Sequence, residues 1–147
     1  MPYFICPNCR RRSVDDDGRE GLTHQPAACA SCGFGFLFEI MDDYYPAPGT
    51  GFVVTDRQGR IIAAGQGVFE LTGYREGDLL GHDLEETLFE PNGGEQSPAA
   101  LALEWGVRRF DQELVLRTRA GLTKSIRADF FPAYDEDGGL LVALSPR

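Results

Sequence analysis

The chain has 147 residues, a net charge of −9, 42% hydrophobic residues and 11% aromatic residues. This composition is typical of a globular protein, and no apolar run approaches the roughly 18 residues of a membrane-spanning helix. The negative charge argues against general affinity for nucleic acid, because phosphates require clustered cations. The chain reaches Cys6 at once, which leaves no room for a signal peptide, so we expect a cytoplasmic protein without a membrane partner.

All four cysteines lie near the N-terminus, in two Cys-x-x-Cys pairs. Two such pairs allow two hairpin tips to present four thiolates to one tetrahedral ion, which stabilises a segment too small for a core of its own. Disulfides are disfavoured in a reducing cytoplasm, and a redox pair needs only one such motif beside a βαβ pattern. We therefore predict one structural Zn(II) per chain, bound by Cys6, Cys9, Cys29 and Cys32.

With Pro7 and Gly33 in its two knuckles, this region resembles a zinc ribbon, although Arg10 stands where such a knuckle often carries glycine. Rubredoxin uses the same paired knuckles to hold iron, and ligand type alone does not separate iron from zinc. A rubredoxin-like electron carrier is therefore an alternative, although the loop between the pairs is shorter here. His24 is expected to be an ordinary loop residue, because four cysteines already close the site.

An alternating apolar stretch follows the second cysteine pair, as expected for a strand with one buried face: Phe34, Phe36, Phe38 and Ile40. Four large side chains exceed what a small ribbon can cover, so this strand is predicted to dock on the next domain or to present a binding face. Pro46 and Pro48 then predict a short extended linker. The predicted domains are 1–40, a metal-binding ribbon; 41–48, a linker; and 49–147, a second domain that touches the first.

The second domain begins with two β-rich runs around a tight turn at Asp56–Gly59. A short helix with Val68 and Leu71 on one face is predicted to end at Gly73. Two further helix starts are indicated by a capping box and by a serine before a proline. Asp83 with Glu86 forms the capping box of a helix that carries Leu84 and Leu88. Ser97 followed by Pro98 begins a helix in which Leu101 and Trp105 are expected to face inward.

The last third alternates like strands joined by hairpin turns at Ala120-Gly121 and at 135–139. The predicted inward residues are Phe110, Leu114 and Leu116 in one strand, opposite Asp111, Glu113 and Arg117, and Ile126, Ala128 and Phe130 in the next. The order β-β-α-α-α-β-β-β predicts an α+β fold, with short helices on one face of an antiparallel sheet.

Two long stretches, "VVTDRQGRIIAAGQGVFELTGYREGDLLGHDL" and "ELVLRTRAGLTKSIRADFFPAYDEDGGLLVALS", resemble a PAS domain over roughly residues 49–145. The resemblance implies a PAS-like five-stranded antiparallel sheet whose helices close over an interior that holds a ligand or cofactor in some members. It also implies a role in sensing, dimerisation or partner docking, which the fold alone does not establish.

The family's cofactor chemistry can be compared with this sequence. Flavin-binding photoreceptor members form an adduct at a cysteine, and the nearest position here is Leu84, so that photochemistry is not expected. Haem-binding members need an axial histidine, and His82, the candidate, is expected to be exposed or capping. No nucleophile elbow, phosphate-cradling loop or metal-binding carboxylate pair occurs, so no enzymatic activity is predicted.

Periodicity predicts an inward-facing set that either lines a ligand pocket or forms an ordinary core. The set comprises Phe52, Val54, Ile61, Ala63, Val68, Leu71, Leu84, Leu101, Leu114, Leu116, Ile126, Ala128 and Phe130.

The sequence thus predicts a non-enzymatic sensory or adaptor protein. Its PAS domain would bind a small ligand of unknown identity or mediate dimerisation or partner docking, with the zinc ribbon as an interaction element. The chain ends at "VALSPR" where family members usually continue into a signalling helix, so we expect it to act through another molecule. The alternative is a transcription-associated accessory that contacts nucleic acid or polymerase through the ribbon, with salt-sensitive binding that depends on Arg10, Arg11 and Arg12.

Overall fold

The structure is a computed structural model, and it describes residues 3–6, 12–14, 24–25, 37–40, 49–65, 67–90, 98–132 and 139–146. Three of the predicted zinc ligands, the linker at 41–48 and the turn at 135–138 lie outside these residues. In the first 40 residues, side chains are described for Ile5 and Cys6. The described part contains two antiparallel sheets and four short helices.

The first sheet is built from four short strands of the N-terminal segment. They are β1 (Tyr3–Ile5), β2 (Arg12–Val14), β3 (His24–Gln25) and β4 (Leu37–Ile40), in the order β2-β1-β4-β3. Every neighbouring pair is antiparallel. From the sequence, His24 is expected to lie in a loop, whereas in the structure it is the first residue of β3.

The second sheet has five antiparallel strands, as the sequence predicted. They are β5 (Gly51–Thr55), β6 (Ile61–Ala64), β7 (Arg109–Arg117), β8 (Thr123–Pro132) and β9 (Leu140–Pro146), in the order β6-β5-β9-β8-β7. The predicted turn after β5 is confirmed, because Asp56 Oδ1 accepts the backbone N–H groups of Gln58 and Arg60, each at 2.9 Å. Gly59 takes the left-handed conformation that closes the turn, with φ 80°.

Between β6 and β7 the described residues form four short helices, one more than the order read from the sequence. They are α1 (Val68–Thr72), α2 (Glu76–Leu79), α3 (Leu84–Leu88) and α4 (Pro98–Trp105). The predicted stop at Gly73 is confirmed, since this residue has φ 77°. Asp83 caps α3 by accepting the N–H of Glu86 at 3.1 Å.

The face of α4 differs from the prediction. Ala99 and Ala102 point into the core, whereas Trp105 is 69% exposed and Leu101 is half-buried. The buried face of α4 therefore includes these small side chains, whereas its largest side chain lies in solvent. The expected inward position of Trp105 is therefore wrong.

Buried apolar side chains form two clusters, one on each face of the five-stranded sheet. The inner cluster lies between the sheet and the helices, and it includes Val53, Leu84, Leu116, Phe130 and Val142. The outer cluster lies on the opposite face and consists of Ile5, Phe52, Val54, Ala63, Phe131, Leu141 and Ala143, with Phe110 packed against it. We refer to these two sides as the inner face and the outer face.

Both edge strands of the five-stranded sheet also contact the connecting segments. An isolated bridge joins Arg60 to Asp83 beside β6, and another joins Phe89 to Leu116 on β7. The amide of Glu90 donates to the carbonyl of Val115 at 3.0 Å. No helix in the described part of the chain has the length and apolar character needed to cross a bilayer.

Candidate functional site

The first strand of the larger sheet is buried on both sides. All five residues of β5 are buried, with Phe52 and Val54 in the outer cluster and Val53 in the inner cluster. The prediction that placed Phe52 and Val54 in the helix-covered interior is therefore wrong. Alternation separates the two faces of a strand, but it does not identify the helix-covered face when both are apolar.

A β-bulge explains why Ile61 and Ala63, two residues apart, occupy opposite faces. The register shifts between Val54 and Thr55, so that Thr55 pairs with Ile61 and Val54 pairs with Ala63. One extra residue, Ile62, is left between them and is 41% exposed. Ala63 consequently belongs to the outer cluster and not to the predicted interior set.

A second bulge moves Phe110 away from its predicted partners Leu114 and Leu116. The register of β7 against β8 shifts between Arg109 and Gln112, and Asp111 has φ 53°. Phe110 therefore packs on the outer cluster, where its ring meets that of Phe131 edge to face, with centroids 5.4 Å apart. Its predicted place on the inner face is wrong for this reason.

The rest of the predicted interior set, apart from Leu101, does come together. Nine of its members lie in the inner cluster: Ile61, Val68, Leu71, Leu84, Leu114, Leu116, Ile126, Ala128 and Phe130. Leu101 belongs to neither cluster. These side chains pack against one another and against the helices, as a hydrophobic core does, and ligand binding among them stays a prediction.

A small pocket of about 190 Å³ borders this core, between the turn after β5 and the helices α3 and α4. Its lining consists of Gln58, Gly59, Asp83, Leu84, Glu85, Ala99, Ala100 and Leu103. Leu84 is the one residue of the predicted interior set in this lining. The neighbouring His82 is exposed, and its carbonyl accepts the amide of Ile61 at 2.9 Å.

The outer face is divided into an apolar and a polar half. Its apolar half is formed by residues of β5, β6, β9 and the end of β8, and Ile5 from β1, which is 0% exposed, belongs to the same cluster. Its polar half, on β7 and β8, carries exposed residues such as Glu113, Ser125 and Arg127. Contact between the N-terminal segment and the larger domain was expected from the sequence. Ile5 was not identified in advance, because the apolar run "YFI" before Cys6 is too short to indicate a docking residue.

The strand register of the first sheet brings the flanks of both cysteine pairs to one end of that sheet. Ile5, at the end of β1, pairs with Arg12 of β2 and with Phe38 of β4. Gln25, at the end of β3, pairs with Leu37 of β4. The connections 6–11 and 26–36, which carry the two Cys-x-x-Cys pairs, therefore start and finish at the same end of the four-stranded sheet. Cys6, directly after β1, is 0% exposed.

Charged side chains form exposed pairs across the helix-to-hairpin boundary. Arg117 lies 3.7 Å from Glu90, and Arg119 lies 3.9 Å from Asp78. Lys124 Nζ donates to the carbonyl of Leu71 at 3.2 Å, at the end of α1. Solvent-exposed pairs of this kind contribute about 0–1 kcal/mol each. These pairs therefore contribute little to holding the hairpin against the helices.

The five-stranded antiparallel sheet with short helices on one face is the architecture of a sensory and signalling fold. A family model described as the PAS domain matches residues 49–145. The chain therefore belongs to the PAS domain family. No curated protein matches it.

Solved structures support the same fold. A PAS domain of a protein from Colwellia psychrerythraea is 26% identical, covers 66% of this chain and 86% of its own, and has a TM-score of 0.56. The PAS domain of nitrogen regulation protein NR(II) from Vibrio parahaemolyticus is 15% identical, covers 68% and 91% of the two chains, and has a TM-score of 0.56. The PAS domain of an HTR-like protein from Haloarcula marismortui is 22% identical, covers 67% and 80%, and has a TM-score of 0.52.

Proposed function

We propose that the protein is a cytoplasmic, non-enzymatic sensory or adaptor protein. Its PAS domain binds a small ligand or docks a protein partner or second copy, and its first 40 residues form a zinc ribbon that serves as an interaction element. The observation that carries this proposal is the contact of Ile5 with the outer cluster of the PAS sheet. Through this contact, a change in either domain reaches the other.

The zinc ribbon is supported by its donor set and by the strand register. Four cysteine thiolates are the donors of closed structural zinc sites, and Cys6, Cys9, Cys29 and Cys32 would hold the ion. The strands that flank both cysteine pairs end on the same side of the small sheet. A zinc ion in such a site supplies folding free energy and leaves no open position for catalysis.

The small-ligand role is supported by the pocket between α3 and α4. About 190 Å³ admits only a small molecule or a part of a larger one, and the lining combines apolar Leu84 and Leu103 with polar Gln58 and Asp83. The volume is smaller than the roughly 300–1,000 Å³ of typical ligand pockets, so the mixed apolar and polar lining is the feature that supports a site here.

Native mass spectrometry of freshly purified full-length protein, compared with the denatured mass, tests the proposal. We expect a mass increase of one zinc per chain, and a further increase if a small molecule is retained. The matched control is Cys6→Ser combined with Cys29→Ser, which removes one ligand from each pair and should abolish the zinc increment. A chain without metal would overturn the ribbon, and one iron per chain would instead support the electron carrier.

A further inference from the structure

We propose that Arg109, at the start of β7, binds the oxyanion group of a small molecule, a carboxylate or a phosphate. This site is separate from the proposed zinc ribbon, and Arg109 does not line the pocket between α3 and α4. Three observations support it. A bulge turns this arginine to the helix-covered face, an unusual backbone conformation maintains the bulge, and one nitrogen of the guanidinium is buried without an acceptor.

The bulge in β7 determines which residue lies on the inner face. Arg109 pairs with Phe130 of β8. Three residues later, Gln112 pairs with Ala128, which is only two residues from Phe130. Directly paired residues of antiparallel strands project to the same face, and both partners on β8 belong to the inner cluster. Without the extra residue, strict alternation from Gln112 would place Phe110 on the inner face. The bulge therefore exchanges an aromatic ring for a guanidinium at this position.

The backbone at Asp111 maintains the bulge in an unusual conformation. Among the non-glycine residues that the structure describes, only Asp111 has a positive φ, of 53°, a region that such residues seldom adopt. Its amide donates to Asp129 Oδ1 at 2.9 Å, and Gln112 Nε2 donates to the carbonyl of Phe110 at 2.7 Å. Bulges and strained residues are concentrated next to functional sites, where they redirect a side chain. The side chain redirected to the inner face here is that of Arg109.

The guanidinium of Arg109 has an unused hydrogen-bonding capacity. The residue is half-buried, and its Nε atom is buried. Within the part of the chain that the structure describes, no group accepts a hydrogen bond from this atom. A buried donor that belongs to a charged group is costly to leave unpaired. An oxyanion that binds Nε together with a terminal nitrogen supplies the acceptor, in the bidentate arrangement that arginine favours.

The surroundings of Arg109 favour a small external ligand. Because Nε lies below the surface, the flat surface of another protein would not reach it, whereas an oxyanion at the end of a small molecule would. Arg117 and Arg119 of the same hairpin already lie 3.7 Å from Glu90 and 3.9 Å from Asp78, respectively. The ion pairs of the described residues do not include Arg109. An external oxyanion therefore competes with no internal carboxylate at this guanidinium.

Nuclear magnetic resonance of the arginine Nε–Hε groups of the full-length protein tests the site, with Arg109→Lys used to assign the Arg109 signal. Inorganic phosphate and sodium formate are added separately at constant ionic strength, with sodium chloride as the reference salt. We expect the Arg109 signal to shift saturably with at least one oxyanion, with a Kd on the order of 1 mM, as befits so small a ligand. The signal of Arg119, whose side chain is 61% exposed, should respond as it does to chloride. Saturation by phosphate alone or by formate alone identifies which oxyanion the site takes.

Two matched substitutions separate this site from a general effect of charge. Arg109→Gln and Arg119→Gln each remove one positive charge from the β7–β8 hairpin, and the backbone amide signals of β7 report binding in both variants. We expect Arg109→Gln to weaken oxyanion binding by at least about tenfold, the effect of losing one hydrogen bond to a charged group. Arg119→Gln should leave the affinity within about twofold. Failure of the wild-type Arg109 signal to saturate with either oxyanion, or equal weakening by both substitutions, would overturn the site while leaving the zinc ribbon and the pocket untouched.

Discussion

At the residue scale, Gly139, directly before β9, has the least room for a side chain among the described glycines. A Cβ atom at this position would overlap the carbonyl oxygen of Thr55 and lie 3.0 Å from the carbonyl carbon of Asp56. These obstructing atoms belong to the backbone, so no side-chain rotation can relieve the clash. Gly77 in α2 provides the contrast, since a Cβ atom there would have nothing within 4 Å.

We predict that Gly139→Ala lowers the free energy of unfolding by about 1–3 kcal/mol, the usual cost of overpacking. Gly77→Ala, which adds the same methyl group in open space within a helix, should leave stability unchanged or raise it by up to about 1 kcal/mol. Urea denaturation followed by circular dichroism gives both values. Equal effects of the two substitutions would contradict the close approach of residue 139 to β5.

At the element scale, α4 shows how packing overrides a simple hydrophobicity rule. Ala102 is 0% exposed and lies in the inner cluster, whereas Trp105 projects into solvent. The interface of this helix with the sheet is therefore made by small side chains, and the adjacent Leu103 is only partly buried against the core.

We predict that Ala102→Leu destabilises the protein by about 1–3 kcal/mol, because the added carbon atoms must fit between α4 and the sheet. Trp105→Ala should change the free energy of unfolding by no more than about 0.5 kcal/mol, as is usual for a surface position. Chemical denaturation followed by far-UV circular dichroism measures both without using tryptophan fluorescence. A larger loss from Trp105→Ala than from Ala102→Leu would mean that α4 presents its other face to the sheet.

Elements with local signals could be predicted from the sequence. The left-handed stop at Gly73, the cap at Asp83 and the turn at Asp56 are each determined by a few neighbouring residues, and the structure has all three. The faces of β5, β6 and β7 were harder to predict, because both sides of the sheet are apolar and two bulges change the period. A bulge at Asp111 depends on the partner strand, so alternation within β7 alone placed Phe110 on the wrong face.

At the scale of the whole molecule, the sequence indicated candidate residues better than the contacts between distant parts of the chain. The four cysteines were proposed as ligands from their spacing, which is a local property, and their metal binding stays a prediction. The packing of Ile5 in the outer cluster was not predicted, because the other members of that cluster are about 50 to 140 positions away in the chain. Such contacts depend on the complete topology, which no short window of sequence contains.

The overall charge leads to a prediction about salt. The net charge is −9, and the ion pairs in the described part of the chain, such as Arg127 with Asp111 at 3.4 Å, are exposed. Because acidic residues outnumber basic ones, salt screens the repulsion among negative charges more than it weakens the few attractive ion pairs. We predict that raising sodium chloride from low to physiological concentration increases Tm by about 4–8 °C, the shift that roughly 1 kcal/mol produces in a domain of about 100 residues such as the PAS domain.

Differential scanning calorimetry measures this shift, and sucrose at matched osmolality serves as the uncharged control. A Tm that falls as salt is added would mean that attractive ion pairs outweigh the repulsion.

The bridges beside β6 and β7 affect whether the edges of the larger sheet can pair with strands of other molecules. Hydrogen-bonding groups at the two margins of the larger sheet are partly used by the chain itself, through Asp83 on one side and Phe89 with Glu90 on the other. A strand from a neighbouring molecule would have to displace these segments before it could extend the sheet. These segments thus oppose extension of the larger sheet by edge-to-edge pairing, and they leave its two faces as the surfaces through which a second copy could dock.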